Sequence, residues 1–147
     1  MNTLRVTASA SVRPRWAILA ALVAVAFGIL TVIVGGRTLF GNAATRAAAG
    51  NIVPFVLWFN FLAGFAYVAA GLELFLWKKW AALLSAIIAI ATLGVFVAFG
   101  IHILLGGAFE TRTIGAMTVR SVVWIVIAVA ACRTLGCLQD WRGDPAR

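Results

Sequence analysis

Four long apolar runs divide the chain, and short polar or charged stretches separate them. The runs predict four helices, at about residues 16–34, 52–77, 81–105 and 114–132. Each run approaches the roughly 20 apolar residues that an α-helix needs to cross a bilayer. The segments at either end, residues 1–15 and 133–147, are polar. The pattern predicts an all-α polytopic membrane protein, a four-transmembrane-helix bundle forming a single membrane domain over residues 1–147.

The first run, Trp16 to Val34, contains nineteen uncharged residues. A signal peptide has a shorter apolar core, of about 7–15 residues, followed closely by a cleavage site of small residues. Here Gly35, Gly36 and Arg37 follow the run, so we interpret it as an uncleaved signal anchor and expect the loop 35–51 to begin there. Small residues share one side of this helix and favour close contact with another helix: Ala17, Ala20, Ala24, Gly28 and Thr31.

The second and third helices each carry a stripe of small or polar residues at spacings of three and four, which places the members on one face. We expect both stripes to point into the bundle, because an amide on a lipid-facing surface would lack a hydrogen-bond partner. The stripe in the second helix is Asn60, Gly64, Tyr67 and Gly71, and that in the third is Ala91, Gly94, Ala98 and His102. Gly106-Gly107 is expected to end the third helix.

Composition narrows the class of protein. Hydrophobic residues make up 64% of the chain, more than a soluble domain of this length would bury. The net charge of +8 comes from basic residues scattered beside the apolar runs, which indicates positive-inside topology and argues against nucleic-acid binding. Eight basic residues lie in the terminal segments and in the turn at Lys78-Lys79, against three in the other two loops. This bias predicts that both termini are cytoplasmic.

The sequence gives little support for a metal site or for a redox-active cysteine pair. The chain has one histidine and only four acidic residues, so no full set of metal ligands is predicted. Cys132 and Cys137 have neither the spacing of a redox pair nor that of a zinc site, and we expect two reduced thiols. No complete catalytic set is found, and no catalytic residue is assigned.

A polar cluster is predicted at the end of the bundle opposite Lys78. Only twelve uncharged residues separate Arg120 from Arg133, roughly 18 Å of helix against about 30 Å of hydrocarbon. The fourth helix must therefore begin near Ile114, with Arg120 inside the membrane. Intramembrane charges are rare and usually face a partner or a water-filled cavity. The candidate ligand-binding residues are His102, Glu110, Arg112, Arg120, Asn60 and Tyr67.

Two interpretations of this cluster remain open. In the first, the arginines hold an anionic or carbonyl-bearing ligand, and His102 and Glu110 form a titratable pair. In the second, the cluster is structural: Glu110 neutralises Arg112 or Arg120, His102 hydrogen-bonds a carbonyl of the turn, and Arg120 snorkels towards the membrane surface. Tyr67 is expected to form a hydrogen bond between helices. No cofactor is predicted, although an aromatic-rich run would suit a quinone: Phe55, Trp58, Phe59, Phe61 and Phe65.

The middle of the chain, LAGFAYVAAGLELFLWKKWAALLSAIIAIATLG (Leu62 to Gly94), resembles the DoxX-like family. It shares a glycine-rich helix, a short basic turn and an Ala/Ile-rich helix with that family of four-helix inner-membrane proteins. The resemblance covers about a third of the chain and implies a bacterial inner-membrane protein, sometimes associated with quinone-linked sulfur oxidation. It assigns no site residues.

Two functions from different classes are compatible with these features. The lack of a catalytic set favours a non-catalytic accessory or self-associating membrane component, embedded in lipid as a homo-oligomer or within a larger complex. The alternative is a membrane-embedded site for a quinone, lipid headgroup or other anion, coupled to redox chemistry or transport. Arg120 and His102, both placed at membrane depth, support this alternative.

Overall fold

The computed structural model describes residues 14–135, and most of the predicted polar segments 1–15 and 133–147 lies outside this range. The described residues form five α-helices: α1 Arg15–Phe40, α2 Ala43–Ala49, α3 Pro54–Phe75, α4 Trp80–Leu104 and α5 Thr111–Leu135. All but the short α2 are long and apolar enough to cross a membrane. The prediction of an all-α, four-helix membrane protein is confirmed.

The four long helices alternate in direction, and each packs against the next in the order α1, α3, α4, α5. We call the two ends of this bundle the Lys78 end, where α3 turns into α4, and the α2 end, where α2 and the α4–α5 turn lie. A large apolar cluster around Tyr67, Leu74 and Trp124 fills the half towards the Lys78 end. A smaller cluster around Val56, Phe99 and Met117 fills the half towards the α2 end.

The closest contact in the bundle joins α1 to α3 through glycines. A Cβ atom added at Gly28 would lie 2.7 Å from the carbonyl oxygen of Gly64, and one added at Gly71 would lie 3.0 Å from that of Ala21. Such a close approach is typical of small-residue interfaces between membrane helices. Four members of the predicted face of α1 are buried and Ala20 is partly buried, so the prediction of a small-residue contact face is confirmed.

Several predicted helix ends differ from the observed ones. α1 continues through Gly35 and Gly36 to Phe40, because Gly35 is buried where a side chain would press on Phe61. Glycine here permits packing and does not end the helix. At the other hairpin Gly106 has a φ of 81°, which glycine tolerates and which ends α4 as expected. α5 begins at Thr111, slightly before the predicted Ile114.

The predicted inward stripe of α4 is wrong. Ala91, Gly94 and Ala98 are all exposed on the outside of the bundle, and nothing lies within 4 Å of a Cβ built at Gly94. The buried face of α4 carries Ser85 and Thr92 instead. α4 is apolar on all sides, so its sequence pattern specifies its rotation within the bundle only weakly.

Aromatic and basic residues gather at the Lys78 end. Trp77 adopts a left-handed backbone conformation (φ 56°), and its ring packs edge-on against Trp16 with centroids 6.0 Å apart. Lys78 Nζ lies 3.6 Å from Glu73 Oε1, and the two side chains form an ion pair. Cys132 is disulfide-bonded, so the prediction of a reduced thiol is wrong for this residue. That prediction rested on the spacing of the two cysteines, which matches no redox pair, but a disulfide requires only that two sulfur atoms come within bonding geometry. Cys137 lies outside the described residues.

Candidate functional site

A cavity of about 590 Å³ opens in the half of the bundle towards the α2 end. Its volume lies within the range of roughly 300–1,000 Å³ that is usual for small-molecule sites. α1, α3 and α5 form its walls, and α2 with the segment that follows it borders it at the end of the bundle. The walls are mainly apolar: Phe27, Leu30, Val34, Val53, Val56, Leu57 and Ala116.

Arg120 lies at the deep end of this cavity and is only 6% exposed. Its Nη1 donates to Asn60 Oδ1 at 2.6 Å and to Met117 Sδ at 3.6 Å, while its Nη2 donates to Thr31 Oγ1 at 3.3 Å. Its Nε atom is buried and has no hydrogen-bond partner. Three helices therefore supply acceptors to the guanidinium group, and every one of these acceptors is uncharged.

Aromatic rings enclose the guanidinium group on the side towards the Lys78 end. Arg120 Cζ lies 5.4 Å from the ring centroid of Phe27 and 5.9 Å from that of Tyr67. These two rings are stacked, and Tyr67 also packs against Trp124 with centroids 4.7 Å apart. A cation near aromatic faces gains about 0.5–2 kcal/mol, more where it is removed from water. The rings stabilise the charge without neutralising it.

Within residues 14–135 no carboxylate pairs with Arg120. Glu73 pairs with Lys78 at the opposite end, and Glu110 Oε1 accepts a hydrogen bond from the backbone N–H of Asn51 at 2.9 Å. The ion pair of Glu110 with Arg112 or Arg120, one part of the structural interpretation, is therefore not formed among the described residues. The deep end of the cavity presents one buried positive charge whose partners in the described chain are all neutral.

Above the cavity, α2 and residues 50–51 form what we call the roof. Asn42 caps α2 by accepting a hydrogen bond from Thr45 N at 2.9 Å, but no residue of α2 is buried. Arg112 Nη2 donates to the carbonyl oxygens of Ala48 and Ala49, at 3.0 and 2.5 Å. These carbonyls end a helix and have no partners within it.

The carboxylate of Glu110 holds the other side of the roof. Besides accepting from Asn51 N, it lies over Gly50, whose φ is 71°. A Cβ atom at Gly50 would overlap this carboxylate. Glu110 and Arg112 thus attach the roof to the start of α5 through polar contacts, and we call these two side chains the latch.

His102 lies in the last turn of α4, and its contacts are local. Its Nε2 is 3.2 Å from the carbonyl oxygen of Ala108, and its ring packs edge-on against Phe55. It closes tightly over Gly107, where a Cβ atom would overlap the imidazole. This is the turn contact that the structural interpretation predicted. The structure shows no contact between His102 and Glu110, so the two do not form the proposed titratable pair.

Of the six predicted ligand-binding residues, Asn60, Arg112 and Arg120 line the cavity. Tyr67 lies behind Arg120, and its buried hydroxyl group has no hydrogen-bond partner among the described residues, so the expected hydrogen bond between helices is not formed. His102 and Glu110 support the α4–α5 turn and the roof. Sequence reasoning missed Thr31 and Phe27 as neighbours of Arg120. The position of Thr31 on the small-residue face of α1 was the available signal, and no comparable signal indicated Phe27.

No group of three potential metal ligands occurs among residues 14–135. No protein-family model matches the chain, and neither a curated protein nor a solved structure matches it. The resemblance of residues 62–94 to DoxX-like proteins therefore stays a prediction.

Proposed function

We propose that this protein is a non-catalytic membrane protein that binds a small oxyanion, a phosphate or carboxylate group, in the cavity beside Arg120. One observation carries the proposal: the guanidinium group of Arg120 is buried beside a cavity and donates hydrogen bonds only to uncharged acceptors. A buried charge is strongly disfavoured unless it is paired, and a bound anion would supply the missing charge. Arginine is also well suited to planar, two-point recognition of carboxylate and phosphate.

The neighbouring polar groups fit an acceptor-rich ligand. The side-chain carbonyl oxygen of Asn60 accepts a hydrogen bond from Arg120, so its two amide hydrogens remain able to donate to a ligand. Thr31 likewise accepts from Arg120 and keeps its hydroxyl hydrogen. A quinone would satisfy these donors with its carbonyl oxygens but would leave the positive charge unmatched. The geometry therefore favours an anion over the quinone that the aromatic run suggested.

The test measures thermal unfolding of the purified protein with four probes: decanoate, decyl phosphate, the cationic decyltrimethylammonium and the neutral decylubiquinone. Binding to the folded state at a hundred times the dissociation constant adds about 2.7 kcal/mol to stability. We expect the two anions to raise the unfolding temperature and the cation to leave it unchanged. Arg120→Gln should abolish the anion effect, whereas the matched change Lys79→Gln should not. If decylubiquinone raises the unfolding temperature and the two anions do not, the anion proposal is overturned and the site is assigned to a quinone.

A second candidate function, an accessory or self-associating component, has its own observation. The small residues Ala91, Gly94 and Ala98 form an exposed stripe on α4, and such stripes let membrane helices approach closely. Native mass spectrometry of the protein extracted gently from its membrane tests this candidate. Association lost in Gly94→Leu but kept in Ile90→Leu would support it. A bare monomer in both variants and in the unaltered protein would contradict it.

We further propose that the α2 end faces away from the cytoplasm of a bacterial cell and the Lys78 end faces the cytoplasm. Support comes from the distribution of basic residues, eight against three. The disulfide at Cys132 opposes it, since cytosolic disulfides are rare. The charge bias nevertheless favours this orientation, because basic residues in short loops set the side on which those loops stay during insertion.

A further inference from the structure

We infer, resting on the proposed function, that the oxyanion is the phosphodiester headgroup of a membrane lipid whose chains stay in the bilayer. The headgroup enters the cavity sideways, between α1 and α5, and descends to Arg120. Three independent features of the cavity support this inference: its open side, the order of its polar residues and the amount of charge it offers.

The open side lies between α1 and α5. α1 packs mainly on α3 and α5 mainly on α4, so α1 and α5 approach each other closely at few points. Leu30 and Val34 of α1 line the cavity and are nevertheless 60% and 63% exposed, and Ala116 of α5 is also exposed. In a bundle of four membrane-spanning helices, the medium outside this gap is the lipid bilayer. A lipid can therefore place its headgroup in the cavity while its chains remain beside α1 and α5.

Polar residues mark two levels of the cavity. Thr38 and Thr113 lie near the roof, whereas Thr31, Asn60 and Arg120 lie at the deep end. At about 1.5 Å of rise per residue, the deep group is roughly 9–14 Å from the ends of its helices at the roof. A headgroup at this depth has left the membrane surface, so its polar atoms need partners there. The roof borders the cavity at the end of the bundle, where Arg112 and Glu110 hold it, whereas the open side between α1 and α5 faces lipid.

The charge at the deep end fits one negative charge. Arg120 is the single basic residue among the described residues at that level, and Arg112 is already bound to the α2 carbonyls near the roof. A phosphodiester carries one negative charge at neutral pH and offers two free oxygen atoms. Polyphosphates would bring charge that nothing in the deep part of the cavity matches.

The experiment compares lipid and soluble sources of the same oxyanion. Protein is reconstituted in nanodiscs of phosphatidylcholine containing a small fraction of phosphatidylglycerol, released, and weighed by native mass spectrometry. Separate samples are titrated with inorganic phosphate and glycerol phosphate. We expect phosphatidylglycerol to be retained selectively over phosphatidylcholine and the soluble anions to bind weakly. A charge-assisted hydrogen bond contributes about 1.5–3 kcal/mol, so Arg120→Gln should weaken lipid retention about ten- to a hundredfold.

Two further variants test the sideways route. Ala116→Trp places a large ring in the gap between α1 and α5, and Val122→Trp places the same ring on an exposed position of α5 outside the cavity. Retention of phosphatidylglycerol should fall in the first variant and stay unchanged in the second. Thermal unfolding of both variants, and of the charge-preserving Arg120→Lys, shows whether each is folded. Thr31→Val provides a milder change at the deep end, and it should also weaken retention.

The outcomes separate this inference from the proposed function. If glycerol phosphate binds as tightly as the lipid and Ala116→Trp has no effect, the lipid inference is overturned while anion binding stands. If neither lipid nor soluble anion distinguishes the unaltered protein from folded Arg120→Lys and Arg120→Gln, both proposals fail. Equal retention of the two lipids with a response to Arg120→Gln would support a lipid phosphodiester site and overturn its selectivity for a headgroup with net negative charge.

Discussion

At the scale of single residues, Arg120 shows how a charge can be placed inside a bundle without a carboxylate. Asn60 and Thr31 lie 60 and 89 positions away in the chain, yet both accept hydrogen bonds from its guanidinium group. The sequence indicated that Arg120 lies inside the membrane, since the apolar run behind it is too short to span. It gave no indication of which side chains meet it, because that depends on how three helices are rotated about their axes.

Double-variant measurements distinguish the observed partners of Arg120 from the predicted one. In the absence of ligand, Arg120→Leu and Asn60→Leu should be coupled by about 0.5–3 kcal/mol, since each single change leaves the other side chain without its partner. Arg120→Leu and Glu110→Gln should be additive within about 0.5 kcal/mol, because no contact joins them. Chemical unfolding in mixed micelles measures all three single changes and both pairs. Coupling with Glu110 but not with Asn60 would contradict the structure.

At the scale of helices, glycines occur in three different environments in this chain. Gly28 and Gly64 allow α1 and α3 to touch, Gly50 provides a left-handed turn beneath a carboxylate, and Gly100 has open space around it. The spacing of small residues along the first helix predicted the close contact at Gly28. Sequence reasoning misinterpreted Gly35, because the same residue type that ends helices also permits close packing within them.

The α1–α3 contact predicts different effects of the same substitution at two glycines. Gly28→Ala puts a Cβ atom 2.7 Å from Gly64 O and 2.9 Å from Val68 N, so the helices must separate. We expect a loss of about 1–3 kcal/mol in unfolding free energy, as for other overpacked sites. Gly100→Ala meets nothing within 4 Å and should be neutral or stabilise by up to about 1 kcal/mol. Equal effects at the two positions, measured by chemical unfolding, would rule out a close α1–α3 crossing.

The roof offers a similar comparison. Gly50 and Gly106 both have positive φ angles, 71° and 81°, but only Gly50 lies against a side chain. Alanine at either position should destabilise the protein by about 1 kcal/mol through backbone strain, and at Gly50 it should also displace Glu110. In a Glu110→Ala background the effect of Gly50→Ala should fall to that of Gly106→Ala. Backbone hydrogen exchange at residues 48–51 measures the displacement, and an unchanged exchange rate in Gly50→Ala would contradict the latch.

At the scale of the whole molecule, lipid replaces water as the medium around the bundle, and this explains the exposed apolar residues. Leu, Ile, Val and Phe side chains cover the outside of all four long helices, while small and polar residues occupy much of the interior. Two apolar clusters occupy the two ends, and the cavity with Arg120 lies beside the smaller one. The two ends therefore differ: the half towards the α2 end contains the candidate binding cavity, and the half towards the Lys78 end contains the larger apolar core.

The proposed orientation predicts which end an impermeant maleimide reaches in intact cells. In a background with Cys132→Ser and Cys137→Ser, Thr113→Cys near the roof should react from outside, whereas Lys79→Cys should react only after the cells are opened. Positive-inside bias is the physical reason. The reverse pattern would place the Lys78 end outside, in agreement with the disulfide at Cys132.

The amino-acid sequence by itself determined the helical class, the four spans and the membrane depth of Arg120, because length and hydropathy act locally along each run. It also indicated the contact face of α1, since small residues recur there at helical spacing. The tertiary structure alone decided the outward stripe of α4, the extension of α1 through Gly35, the roof and the partners of Arg120. These features depend on the rotation and long-range pairing of helices that are apolar on every side, and lipid offers little preference for one face over another.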